Sequence, residues 1–490
     1  MSCEVDVLIV GSGFGGTLAA LLCQRIGLRP LVVDAQSHPR FMIGESTTPL
    51  ANLVLESLAD KYQLPWLKPF ANYTSWKQTS PQLDVGLKRG FSYFHHQRGE
   101  PFRPRTDHAN ELLVAASHGP DDADTHWLRA DFDHFLVQQA RRVDLPILEQ
   151  TRITELTATG DRWTVTVVSE PACEPWTMNA GFIIDASGAG GFLTQALDLP
   201  VLTSSLLTHS RAILGHFRRV RPWQDVYTAA GGTVADHPFP CDQAALHHVF
   251  DGGWMYQLRF DSGITSAGFS LSDLQPTASP EVEWSRLLHD YPSIGAQFAD
   301  AELISNQGRL IATQRLQRRI GQAAGPNWAL LPTAAGIIDA LHSTGNGHTL
   351  IGLERLITIL EQHWRSPRLA PALAEYDRTL QAEIVMIDRI VAGCYRGFRD
   401  FPRMVAMSLF YFATAIWSEL RLRSGQDLPT AFLCANEPEL QAAIEQALAV
   451  IGRTDVSTTA VVAAIQQAIA PFNRADLGDP RRRNMYPYPK

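Results

Sequence analysis

The sequence predicts an α/β fold in three parts: a Rossmann-type parallel sheet, an antiparallel sheet and a helical C-terminal region. Three observations carry the prediction. First, the aliphatic run Val5-Asp6-Val7-Leu8-Ile9-Val10 leads into Gly11-Ser12-Gly13-Phe14-Gly15-Gly16 and then into an Ala- and Leu-rich stretch, residues 17–25. Second, residues 200–305 read as a set of strands, with residues 253–260 and 265–271 forming a hairpin around Asp261-Ser262-Gly263. Third, the chain is mostly helical from residue 361 to about 470, with a break over 421–427.

Each element has a local reason. The first run reads as a buried parallel strand because it is nearly all aliphatic. Gly11 allows the tight turn, Gly13 lets the backbone approach a pyrophosphate, and Gly16 lets helix and strand pack closely. Free N–H groups at the helix start then favour the negative charge. A second strand, Pro30-Leu31-Val32-Val33, ends in Asp34, and an acid at that spacing suits a ribose hydroxyl pair. Residues 39–49 form a polar loop feeding an amphipathic helix over 50–62. Residues 65–125 are irregular, broken by six prolines, with a strand at Phe91-Ser92-Tyr93-Phe94. His95, His96 and His108 lack a carboxylate or thiol at ligand spacing, so no metal site is expected. A helix is predicted over 127–142, strands at 147–148 and 163–168, and a hairpin turn at Thr159-Gly160-Asp161. Phe182-Ile183-Ile184-Asp185-Ala186-Ser187-Gly188 reads as a second buried strand of the first sheet. Trp328-Ala329-Leu330-Leu331-Pro332 is a short strand, followed by small residues and a helix from about His348. Residues 476–490 read as a loosely packed tail. The expected domains are 1–199, with an inserted segment at about 65–125; 200–305; 306–360, returning to the first domain; and 361–490.

Composition narrows the function. The 490 residues carry a formal charge of −8, which gives a nucleic-acid role no electrostatic support. Cys3, Cys23, Cys173, Cys241, Cys394 and Cys434 show no CxxC or metal spacing and read as reduced thiols in a cytoplasmic protein. The fingerprint starts at residue 11, leaving no room for a leader. No apolar run reaches the roughly 18 residues of a membrane span.

Four segments occur in a telling order: Gly11-x-Gly13-x-x-Gly16, Gly44-Glu45-Ser46-Thr47-Thr48-Pro49, Asp185-Ala186-Ser187-Gly188 and Leu341-His342-Ser343-Thr344-Gly345. Over residues 5–360 the chain resembles flavin-dependent halogenases, within the FAD-dependent monooxygenase superfamily. The glycine fingerprint is common to many flavoproteins; G-E-S-x-x-P with a later S-T-G is more specific. The resemblance implies an enzyme that takes reduced FAD from a separate flavin reductase and uses oxygen to oxidise chloride or bromide. Hypohalous acid then travels through a tunnel to a lysine beside a small electron-rich aromatic, free or carrier-bound.

The resemblance also implies site residues. Gly11, Gly13, Phe14, Gly15, Gly16, Asp34, Ser46, Thr47, Asp339 and Gly345 fall to the cofactor. Arg40 and Arg129 are candidates for phosphate or ring-edge contact, since a guanidinium fork matches such oxygens; otherwise they are surface ion pairs. Ser343, Thr344 and Gly345 fall to the halide, at a helix start able to bind an anion; an ordinary helix cap is the other reading. Glu45 and Ser46 would line the junction of flavin and substrate pocket, with Glu45 counted as catalytic. Two lysines compete: Lys77 in Trp76-Lys77, and Lys88 in Lys88-Arg89-Gly90, which is preferred because it lies on a strand between Leu87 and Phe91. Phe91, Phe94, Trp254 and His342 are expected in the substrate pocket, with Phe410, Tyr411 and Trp417. His342 reads as an acid/base or as solvent-facing.

The chain departs from the family in three places. The W-x-W-x-I-P stretch is here Trp254-Met255-Tyr256-Gln257-Leu258-Arg259, Pro332-Thr333 stands where many relatives have G-D, and His342 replaces the glutamate of tryptophan halogenases. A hydroxylating FAD monooxygenase, and an FAD-holding protein without turnover, are the rival readings.

Overall fold

Strand β1 (Cys3–Val10) lies between β10 (Pro175–Asp185) and β2 (Pro30–Val33), parallel to both. That placement buries Val7, Leu8 and Ile9 completely and explains the unbroken aliphatic run. The computed structural model describes residues 3–171, 174–424 and 431–489. The side chain of Cys3, Cys173, and the 425–427 part of the expected break lie outside the described residues.

Parallel neighbours need crossovers, and helix α1 (Phe14–Arg25) supplies the first. It begins at Phe14, three residues before the apolar run suggests. Gly11 takes φ +103°, and a Cβ there would meet the Ala186 carbonyl oxygen at 2.7 Å. At Gly16 a Cβ would lie 1.9 Å from the Gly11 carbonyl oxygen. Helix α2 (Pro49–Lys61) follows the polar loop. Strands β3 (Val85–Lys88), β4 (Gly90–His95), β5 (Glu111–Ala115) and β6 (Asp124–Trp127) then occupy the segment expected to be irregular. Trp127 closes β6, so helix α3 runs Arg129–Arg141 rather than from 127.

Strand β7 (Ile147–Leu148) pairs with β2, and β8 (Thr151–Thr159) pairs antiparallel with β9 (Arg162–Ser169), which pairs with β10. The second sheet contains β11 (Arg211–Arg218), β12 (Ala245–Phe250), β13 (Gly253–Arg259) and β14 (Thr265–Leu271). Its order is β11-β14-β13-β12-β4-β5. The sheet is therefore mixed: β12 runs parallel to β4, which reaches it from the earlier segment. Three helices, Trp223–Ala229, Pro280–Asp290 and Pro292–Gln297, also fall within 200–305, where strands alone were expected.

Strand β15 (Trp328–Leu330) returns to the first sheet beside β10. Helix α4 (Thr344–His363) starts earlier than His348, because the helical turn begins directly after Ser343. Helices α5 (Leu369–Gly397), α6 (Phe401–Arg423), α7 (Pro438–Ile451) and α8 (Thr458–Ile469) complete the C-terminal region. Among the described residues, no helix is long and apolar enough to cross a membrane. The terminal segment is not loose. Strand β16 (Met485–Tyr486) pairs in parallel with β5, buries both its residues, and is tied down as Arg483 donates to the Thr106 carbonyl and Asn484 to that of His108.

Candidate active site

At the carboxyl ends of the parallel strands, where open α/β sheets bind ligands, Gly11 meets Ala186. Gly13 precedes α1 without a side-chain cap, and the first turn holds no acid. The N–H groups there are free to face an anion. Helix α4 has the same character: Ser343 sits in the left-handed region at φ 52° and does not cap. A Cβ on Gly345 would meet nothing within 4 Å. Two uncapped helix starts with small residues between them fit a dinucleotide and a small anion.

The polar groups nearby are already engaged. Asp34 accepts from Ser12 N–H and Oγ at 2.7 Å each, from Gln36 N–H at 2.8 Å, and from both arms of Arg40. Burial pushes its carboxyl up, but the donors, Arg40 foremost, outweigh this and hold it below the usual range. Asp34 thus has Arg40 where an open ribose site was expected, and Arg40 faces Asp34. Arg129 forms a two-pronged pair with Asp133 (2.7 and 2.8 Å), donates to the carbonyls of Ile43 and Gly44, and lies over the Phe14 ring. It is buried, not a surface ion pair, and it joins the glycine fingerprint to the 44–49 loop.

That loop is stitched to β6. Thr47 N–H and Oγ1 donate to the Thr125 carbonyl, and Trp127 N–H donates to that of Glu45. Glu45 Oε1 is 2.7 Å from His216 Nε2, while its Oε2 is buried without a hydrogen-bond partner among the described residues. The carbonyl of Ser46 accepts from Asn346 at 3.3 Å, so the first turn of α4 touches the loop. The carbonyl of Thr47 accepts from Lys88 Nζ.

Lys88 is fully buried, opposite Asp124 in the β3–β6 register. Its Nζ is 3.8 Å from Asp124 Oδ2 and 4.0 Å above the centre of Phe91. Burial pulls the ammonium down to about 8 although Asp124 opposes this, so desolvation wins over the charge pair. The same burial pushes Asp124 up to about 7, against the pull of Lys88; Asn52 holds its other oxygen at 2.7 Å. Lys77 differs. It is about a third exposed on the short helix Tyr73–Thr79 and pairs with Asp261 at 2.7 Å, while Trp76 faces the core instead of the cleft.

An aromatic chain links Lys88 to the start of α4. Phe91 lies 6.2 Å from Tyr411, and Tyr411 stacks on His342 at 4.3 Å. Tyr93 OH donates to the Leu341 carbonyl at 3.3 Å, and its ring stacks on His247. Trp254 packs on His247 and donates to Tyr395 OH. His342 is buried and held neutral by that burial, so it does not face solvent. A narrow cleft is lined by Thr48, Phe91, Tyr411, Phe412, Glu419 and Tyr488, among others, and Lys88 meets it through the Phe91 ring. Tyr488, in the expected loose tail, was missed because only the β5–β16 pairing brings it there.

Trp254 and His342 stand outside that lining, and three more expected residues lie elsewhere. Phe94 points to the opposite face of β4 from Phe91 and packs on Phe102 and Trp223, as alternation along a strand requires. Trp417 packs on Phe472, and Phe410 is buried away from the cleft lining. Asp339 is saturated: its carboxylate accepts from Ser210, Ser270, Tyr395 and Leu341 N–H, and burial raises it to about 6. It anchors the loop before α4 to the second sheet. Of the histidines, His96 bonds His248 and His95 meets the Phe398 carbonyl. His108 does have a carboxylate at ligand spacing, Glu111, contrary to expectation.

Fold and crevice together are those of a dinucleotide-binding α/β protein with its ligand site at the carboxyl ends of the parallel strands. No family model matches the chain. It is 29% identical over 427 residues to the monodechloroaminopyrrolnitrin halogenase PrnC of Pseudomonas fluorescens, covering 85% of this chain and 72% of that protein. It is 26% identical over 446 residues to the tetracycline 7-halogenase of Kitasatospora aureofaciens, covering 88% and 76%. The crystal structure of halogenase PltM with phloroglucinol and FAD superposes with a TM-score of 0.88 at 24% identity, covering 98% of this chain and 99% of that one. The chain is a relative of the flavin-dependent halogenases and an enzyme of that flavin oxidoreductase type.

Proposed function

We propose that this enzyme halogenates a small electron-rich aromatic, with Lys88 delivering the halogen. The observation that carries the reading is a fully buried lysine beside an aromatic cleft, joined through Phe91, Tyr411 and His342 to an uncapped helix start. A lysine is rarely left fully buried without a purpose, and strongly perturbed groups gather at functional sites.

FAD, reduced by a separate reductase, supplies with oxygen the equivalents that turn halide into hypohalous acid. Gly11, Gly13 and Gly16 clear the approach of its pyrophosphate to α1, with Arg129 bracing the loop. The Thr344 and Gly345 N–H groups, with the Thr344 hydroxyl, hold the halide. Glu45 and Ser46 line the junction, and the loop after Glu45 meets Lys88 through Thr47. Lys88 holds hypohalous acid by a hydrogen bond from Nζ, and its positive charge makes the halogen more electrophilic. Phe91, Tyr411 and Phe412 present apolar faces to an aromatic ring. The domain limits at residues 199, 305 and 360 belong to this reading, with the 200–305 sheet and the C-terminal helices enclosing the substrate. We place the reaction in the cytoplasm, where buried thiols such as Cys23 and Cys394 stay reduced.

Reduced FAD, oxygen and bromide, offered with a panel of phenols and pyrroles, should give brominated product by mass spectrometry. Hydroxylated product with no bromide requirement would instead support the monooxygenase reading, which Tyr256 in the altered tryptophan motif favours. Thr344→Val should raise the bromide concentration for half-maximal rate by roughly 10–100-fold, the equivalent of one hydrogen bond to a charged group. An unchanged halide dependence would remove the Thr344 hydroxyl from the anion site.

A further inference from the structure

A second cluster of polar side chains lies on the Phe94 face of the mixed sheet, away from Lys88. Glu111 opens β5, His108 precedes it, and His237 comes from the loop before β12. One ligand atom from each lies within 4.8 Å of the others. All three side chains are no more than 1% exposed. Glu111 Oε1 accepts from Tyr227 OH at 3.1 Å and faces His108 Nδ1 at 2.6 Å. Its Oε2 is buried without a hydrogen-bond partner among the described residues, and so are both ring nitrogens of His237. Native structures seldom leave such atoms unpaired, and each case calls for a cause.

The spacing suggests the cause. His237 Nε2 and Glu111 Oε2 are 3.4 Å apart. Two ligands about 2.0–2.1 Å from one tetrahedral ion stand roughly 3.3–3.4 Å from each other. Behind His108, its Nε2 lies 3.2 Å from Asp236 Oδ2, which Arg483 holds at 2.8 Å. A carboxylate behind an imidazole fixes the tautomer that leaves Nδ1 free to ligate.

We propose that His108 Nδ1, Glu111 Oε2 and His237 Nε2 bind one divalent ion of the zinc type, with water in the fourth position. Two imidazoles and one carboxylate suit zinc. Ligation takes His108 Nδ1 from its contact with Glu111 Oε1 and needs that nitrogen without a proton. The ion joins the β4–β5 connection to the loop before β12 and, through Asp236 and Arg483, to the C-terminal segment. It thereby steadies β16 and Tyr488, which lines the cleft. None of the three ligands itself lines the cleft.

The test uses the full chain without a histidine tag, stripped with chelator. Titration with zinc by calorimetry should show one ion per chain, and cobalt should give the intense visible absorption of a four-coordinate ion. His237→Ala and Glu111→Gln should each weaken zinc by more than the roughly 10–100-fold typical of losing an outer partner, and Asp236→Asn by about that amount. Cobalt with only the pale spectrum of the hydrated ion, zinc bound at less than stoichiometric amounts, or wild-type affinity in His237→Ala would overturn the proposal. The cobalt spectrum is read on the unmutated chain, so a variant that fails to fold does not shield the claim.

Discussion

Lys88→Ala should lower halogenation by about 10²–10⁴-fold, the range that a positioned proton donor contributes, while oxidation of reduced FAD continues. The side chain touches the Thr47 carbonyl, Phe91 and Asp124, none of which belongs to the glycine fingerprint. Its loss should therefore separate delivery of the halogen from generation of the oxidant. The expected readout is hypohalous acid appearing in solution, trapped by monochlorodimedone, with no product from the aromatic substrate. Unchanged halogenation would remove Lys88 from its role and reopen the case for Lys77. The pH profile carries the same information. Burial brings Lys88 down to about 8, so the charged form dominates below that value and is lost above it. A lysine acting as donor gives a rate that falls as pH rises through about 8. A rate that climbs through the same region would mean that the neutral amine is the working form.

Gly16→Ala should cost the protein its cofactor. The added methyl would sit 1.9 Å from the Gly11 carbonyl oxygen, and backbone cannot yield as a flexible side chain can. Helix α1 must then move off β1, carrying the Gly13 approach with it. Overpacking of this kind destabilises by about 1–3 kcal/mol or more. Flavin titration followed by fluorescence should show FAD affinity falling at least about tenfold, and the thermal melt should move down. Gly119→Ala is the control: a Cβ there meets nothing within 4 Å, so both measurements should stay at wild-type values. Wild-type FAD binding in Gly16→Ala would mean that the pyrophosphate lies elsewhere.

How far the chain could be read without coordinates follows from the range of each signal. The first crossover was legible because all its information is local: an aliphatic run, three glycines and a second strand within 34 residues. The preference for Lys88 over Lys77 rested mainly on the Lys88-Arg89-Gly90 motif ahead of an aromatic strand, and the structure buries Lys88 while Lys77 is about a third exposed. Phe94 was misjudged because a four-residue aromatic run on a strand serves both faces, and only the pairing of β4 tells which residue faces the cleft. Tyr488 and the His108–Glu111–His237 cluster were beyond reach for another reason. Both depend on segments far apart in the chain, meeting through β16 and the loop before β12, and no spacing rule reports such a meeting. Asp339 was read as a cofactor contact, yet its four donors come from the second sheet, from α5 and from its own loop.

Crystals grown with FAD and bromide, measured at the bromine absorption edge, test the central claim most directly. The account predicts FAD across the crevice between Gly11 and Ala186, its ring system toward α4, and a bromide peak on the N–H groups of Thr344 and Gly345. Bromide bound only elsewhere, or FAD lying outside that crevice, would contradict it.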